Sequence, residues 1–249
     1  MKAFPLVLVS LLASLDPARL FAQAKYPPLG EYMMARDAEI ALARSAAPEK
    51  ISAGATVRVL TTSGYEVAVR GSNGFVCMVM RGWAAPSFTP TRERQLVYDV
   101  KLRAPICFDP VASRTVLPYQ DLRTKLGMEG RDPDAISREV SAAYARGALP
   151  KMEGIAFAYM WSAGQHLGPA GAWRPHMMIY APYYRNSMLG GNEPGGSLPF
   201  VNDDEGTPFT VIVMAVDGNV AIAPKTDRLI DVDWQTNLDG HGTVGASIG

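Results

Sequence analysis

The side chains in this sequence whose types could do chemistry gather in two places. One is Trp173-Arg174-Pro175-His176, with His166 upstream and Tyr180 downstream. The other is Cys77 with Cys107, the only cysteines in the chain. In the first group His176 could serve as a general base and Arg174 as a clamp for an anion, beside the Tyr180 phenol. The competing reading is structural, a histidine after proline at a strand start that bonds nearby backbone. Residues 154–162 and 174–182 read as a strand pair around a turn at 168–172. If that five-residue loop sets the register, Trp161 faces Ile179, Ala163 faces Met177 and Tyr159 faces Ala181 on one apolar side. On the other side Gly164 faces His176 and His166 opposes Arg174. His166 and His176 then become diagonal neighbours about 7–8 Å apart. The candidate binding residues are therefore His166, Trp173, Arg174 and His176, and the candidate catalytic ones Arg174, His176 and Tyr180.

A disulfide between Cys77 and Cys107 would need an oxidising compartment. It would close a loop whose chain entropy is worth roughly 3–4 kcal/mol. Two buried thiols, or one nucleophilic cysteine, are the alternatives. The run Phe75-Val76-Cys77-Met78-Val79-Met80 is apolar throughout, the opposite of what a reactive thiolate needs.

Other chemistry lacks its signature. G-x-S-x-G does not occur, and Ser162-Ala163-Gly164 lacks the flanking glycine of a nucleophile elbow. No phosphate-binding or dinucleotide fingerprint is present. Zinc ligation by His166, His176 and a carboxylate has no supporting spacing, so no metal and no cofactor is expected. Asp203-Asp204-Glu205 reads as a solvated acidic turn rather than a calcium loop. His241 falls in the polar tail. With 24 basic and 24 acidic residues the formal net charge is zero, which gives no electrostatic case for nucleic acid or an anionic membrane.

The elements that must position these residues follow from periodicity. Val57 and Val59 alternate with Arg58, and Tyr65, Val67 and Val69 with Glu66, Ala68 and Arg70, as in half-buried strands. Pairing Val59 with Tyr65 puts all five apolar residues on one face. A shorter loop sets Arg58 against Val67, so the longer loop or a bulge is preferred. Gly71-Ser72-Asn73-Gly74 then turns the chain into the apolar run, a central strand covered on both faces and the third of a meander.

Residues 31–47 read as a helix with Met34, Ala38, Ala41, Leu42 and Ser45 on one stripe. Residues 84–103 are irregular and charged, and should lie outside the core. Asp109-Pro110 opens a helix to about Leu126 with a kink near Pro118. Asp132-Pro133 opens another, 134–146, closed by Gly147. Residues 186–206 form a Gly/Pro/Asn-rich loop, and 209–216 a last buried strand.

Residues 1–24 carry Lys2, an apolar run too short to span a bilayer, and Ala22-Gln23-Ala24, the pattern of a cleavable secretory leader. Export to the periplasm or beyond the cell is expected, with 25–230 as one domain and 231–249 as a loose tail. No later segment is long and apolar enough to span a membrane.

The stretches DAEIALARSAAP, GYEVAVRGSNGFVCMVMRGW, RAPICFDP and WRPHMMIYAP resemble a group of exported bacterial hypothetical proteins with no assigned activity. That resemblance covers about residues 35–182; it implies an exported bacterial protein and supplies no catalytic residues. The fold expected is α+β: a mostly antiparallel sheet, made of the meander and the later hairpin, with packed helices. The first functional expectation is a non-catalytic domain that binds a small molecule or an envelope protein. The others are a hydrolase-type enzyme using His176 with Arg174, and a structural envelope component, which would show an exposed apolar patch.

Overall fold

Alternating Val57 and Val59 build β1 (Thr56–Thr61), which pairs antiparallel with β2 (Gly64–Val69). These and the following coordinates come from a computed structural model, which describes residues 25–84, 96–152, 154–167, 174–192, 198–202 and 204–216. The expected leader at 1–24, the turn at 168–172 with Trp173, Asp203, and the tail with His241 lie outside the described residues. The chain divides into two units between Val216 and Asp217, and only the first is treated below.

The expected α+β class holds. Among the described residues, five helices accompany an eight-stranded sheet ordered β2-β1-β3-β4-β5-β6-β8-β7. The remaining strands are β3 (Val76–Met80), β4 (Ala104–Phe108), β5 (Ala156–Met160), β6 (His176–Tyr180), β7 (Phe200–Val201) and β8 (Val211–Ala215). All neighbours are antiparallel except β1 and β3.

That exception corrects the meander. β3 lies on the far side of β1 from β2 and parallel to it. Its wholly apolar sequence needs cover on both faces and neighbours on both edges, which the place between β1 and β4 supplies. The β1–β2 register also differs from the preferred one. Arg58 stands opposite Val67 and Leu60 opposite Tyr65, with a bulge at Val57/Arg58. The bulge switches faces within β2, so Tyr65 joins one core with Leu60 while Val69 packs against the other with Val57.

β4 was not foreseen as a strand because of Pro105, which cannot donate to a ladder. Pro105 stands where β4 borders β3 alone; the β5 ladder reaches only Cys107 and Phe108. The segment before it is not all surface either, since Leu96, Val97 and Leu102 are buried.

Helices cover both faces. α3 (Pro110–Thr115), α4 (Leu117–Met128) and α5 (Pro133–Ala145) bury Ala112, Val116, Leu126, Ile136 and Val140 against one face. The Asp109 carboxylate caps α3 by accepting from Ala112 N at 2.6 Å, and the expected kink is a break at Val116. A short helix, α2 (Glu49–Ser52), precedes β1.

On the other face α1 (Arg36–Arg44) packs over β1, β3 and β4. Its stripe is rotated from the expected one. Ala38, Ala41 and Ser45 are exposed, whereas Glu39 and Ala43 are buried. Glu39 turns inward because Arg81 lies in the core: the two form a buried ion pair at 3.0 Å, and Glu39 Oε1 also accepts from Leu60 N. The small side chains that approach the sheet are Ala43 and Ala46.

Candidate functional site

His176 opens β6 and is 3 % exposed, on the face packed against α3–α5. The carbonyl of Arg174 accepts from its Nδ1 at 2.9 Å and from Gln165 Nε2 at 3.0 Å. Burial drops its pKa to about 4, so the ring is neutral at physiological pH. The hairpin register is displaced from the expected one by four residues. Met160, not Gly164, faces His176, and His166 bridges Arg103 instead of Arg174. The displacement is even, so each residue keeps its face. β5 ends at Met160 because α1 captures the chain beyond it. Trp161 N donates to Ala46 O at 2.9 Å and the Ser162 and Ser45 hydroxyls meet at 2.6 Å.

The pairing expected to bring His166 beside Arg174 and His176 is therefore not the one found among the described residues. His176 and Tyr180 stand four residues apart along one strand, about 13 Å. Tyr180 is buried against Phe209, and burial raises its pKa well above the usual phenol value. The acidic run is also not a solvated turn at Asp204, which is 3 % exposed. It lies in the field of the fully buried Arg123, whose guanidinium stacks on Phe209 at 4.4 Å.

A concave surface lies at the C-terminal turn of α4. Gly130 (φ +70) ends the helix in a Schellman arrangement, with Arg131 N bonded to Leu126 O and Gly130 N to Gly127 O. Gly127 lets Trp83 lie against the helix; a Cβ there would meet the indole at 2.3 Å. Facing this turn lie residues 25–29, the last of which opens a 3-10 turn. They are held by Tyr26 stacked on Tyr98 at 3.5 Å and by Lys25 paired with Asp132 at 3.1 Å. A cavity of about 370 Å³ remains, walled by Tyr26, Tyr32, Trp83, Tyr98 and Met128. The Trp83 indole N–H is buried with no acceptor.

A second cavity of about 430 Å³ adjoins it, sharing Leu29, Met128 and Glu129. It lies between α4 and the Thr62-Ser63 turn, lined by Arg58, Tyr65, Asp121 and Lys125. Arg58 is fixed by Asp121 at 2.9 Å and donates to Tyr65 O at 2.9 Å. Tyr65 is anchored through Val79 O at 2.6 Å, and burial pushes its pKa to about 12. The Ser63 hydroxyl donates to Glu66 at 2.6 Å, and this bond with that of Thr61 holds the carboxyl below its ordinary value. Neither His166 nor His176 lines either cavity.

Among the described residues no cluster of three or more His, Cys, Asp or Glu could hold a metal. Cys77 and Cys107 are directly opposed on β3 and β4, Cα atoms 4.0 Å apart, their sulfurs at disulfide distance. Both are fully buried.

Sequence reasoning missed the groove because its walls are far apart in the chain. The traceable signals were local: Tyr26-Pro27-Pro28, and two glycines, Gly127 and Gly130, at a helix end. No protein family, no curated protein and no solved structure matches this chain.

Proposed function

We propose that the chain is an exported, non-catalytic binding protein, and that its ligand occupies the groove at Leu29, Met128 and Glu129. The observation that carries this reading is the pair of adjoining cavities with unlike walls. The lobe at Tyr26, Trp83 and Tyr98 suits a planar or aliphatic group. The lobe at Arg58, Lys125 and Glu129 suits a polar or zwitterionic one. Export is supported by the leader pattern of residues 1–24 and by the opposed cysteines. No described helix is long and apolar enough to cross a membrane.

The test is a thermal-shift screen of residues 25–249 against small metabolites, with Met128→Trp to fill the shared wall and His176→Gln as a distant control. A ligand at 100 times its Kd stabilises the native state by about 2.7 kcal/mol, enough to move Tm by several degrees. The shift should vanish in Met128→Trp and persist in His176→Gln. The reverse pattern would return the site to β6, and no shift with any ligand would remove the binding reading.

A further inference from the structure

The aromatic lobe of the groove is electrostatically negative. α4 ends against it, so the negative pole of a 12-residue helix lies at the wall formed by Gly127 and Met128. Besides tyrosines, two ionisable side chains line the lobe, Lys25 and Glu129. Lys25 is paired with Asp132. The half-exposed Glu129 lies 4.0 Å from Arg131, whose guanidinium is already paired with Glu139. The tyrosines register the same field. Burial raises the Tyr32 phenol to about 12, and the carboxylates of Glu31 and Asp99 push it the same way. Burial raises Tyr98 too, with Tyr26, Tyr32 and Asp132 adding to it, and no described basic group opposes either shift.

We propose that the ligand of this groove carries an alkylated ammonium group, and that the aromatic lobe is where that cation sits. The inference rests on the groove being a binding site, and it names the charge and kind of group that enters. A cation is attracted to the faces of aromatic rings. Tyr26 and Tyr98 line the lobe with half-buried rings, and Tyr32 and Trp83 with buried ones. The chain already makes such a contact at the rim, where the Lys25 ammonium lies 5.1 Å from the centroid of the Tyr26 ring. Glu129 and the end of α4 supply the counter-charge.

The walls choose among cations. A hard metal ion needs several oxygen ligands, and one carboxylate among rings does not provide them. A primary ammonium brings three donors that each want an acceptor. An alkylated ammonium brings none or one and covers its charge with methyl groups. Pro27, Pro28, Leu29 and Met128 give those methyl groups apolar contact.

Isothermal titration of residues 25–249 with choline and with 3,3-dimethylbutan-1-ol, its uncharged isostere, tests the charge directly. Choline should bind at least about tenfold more tightly, the scale of a desolvated cation–π contact. Glu129→Gln, which keeps the shape of the side chain, should lower choline affinity about two- to fivefold and leave that of the alcohol unchanged. Tyr26→Leu should lower choline affinity about two- to tenfold, and Met128→Trp should abolish binding. Thermal melts of each variant check that the fold is kept. Equal binding of choline and the alcohol would overturn the cation while leaving the groove a site for neutral molecules. Choline binding indifferent to all three variants would place the cation elsewhere and overturn the proposal too. So would an absence of choline binding; whether the groove binds anything is then read from metabolite shifts that vanish in Met128→Trp.

Discussion

One face of this sheet is finished in two ways. Over β1, β3 and β4 it carries small or branched residues, Val57, Cys77, Val79 and Cys107, against Ala43, Ala46 and Ala47 of α1 and the turn after it. Over β5, β6 and β8 it carries Phe157, Tyr159, Met177, Ile179, Ile212 and Met214, with no described helix above. Side-chain size follows the cover. Small residues on both sides let α1 approach closely and leave no voids, so that half is closed by the chain itself. The large side chains of the other half are only partly buried, Met214 least of all. The covered half is also clamped by charge, since Glu39 descends from α1 to the buried Arg81 guanidinium. That guanidinium further donates to the carbonyls of Tyr32 and Val79.

The sharpest way to break this contrast is at the clamp. Glu39→Ala leaves Arg81 buried without its carboxylate and should cost about 3–5 kcal/mol, read as a lower urea midpoint at pH 7. Glu39→Gln, which keeps acceptors for Leu60 N and Arg81, should cost less. A loss below about 1 kcal/mol for Glu39→Ala would mean that α1 is held by apolar packing alone.

Next comes the cysteine pair beneath α1. Replacing both with alanine should cost roughly 3–4 kcal/mol by the chain-entropy argument. Thiol titration of the unfolded, unreduced wild type should find no free sulfhydryl; two reactive thiols would disprove the bridge.

The open half has its own weak point on its helix-packed face. The folded-state pKa of His176 is depressed to about 4 from 6.5, so the unfolded chain binds the proton first as pH falls. Stability from this group is intact above pH 6.5 and is lost as pH falls toward 4, by on the order of 3 kcal/mol. Denaturation midpoints of wild type should fall across that window, and those of His176→Gln should fall less. Parallel curves would show that His176 is not the titrating group.

The smallest effect belongs to the open face. Met214→Ser should change the stability of the monomer by less than about 0.5 kcal/mol, because the side chain is already partly in water. A loss above about 1.5 kcal/mol in dilute protein would mean that the face is covered within one chain.

Local signals in the sequence were reliable where one stretch contains the whole cause. Asp109-Pro110 and Asp132-Pro133 cap the helices they announce, the apolar run at β3 is central, and Gly147 (φ +73) follows α5. Signals were incomplete where the deciding atom comes from afar. The β5–β6 register follows from α1 capturing Trp161 and Ser162, not from the loop between the strands. The inward turn of Glu39 follows from Arg81, and the burial of Asp204 accompanies the buried Arg123. None of these partners is within reach of a periodicity argument.

By itself, then, the sequence determined the capped helix starts at Asp109 and Asp132, the central place of β3 and the faces of β5 and β6, because caps and a side-chain period of two act over a few residues. Only the tertiary structure decided that β3 crosses β1, that His176 is buried instead of poised, and that a groove opens at the end of α4. Each of those depends on which distant segments compete for the same buried space, and that competition is settled by packing the whole chain at once.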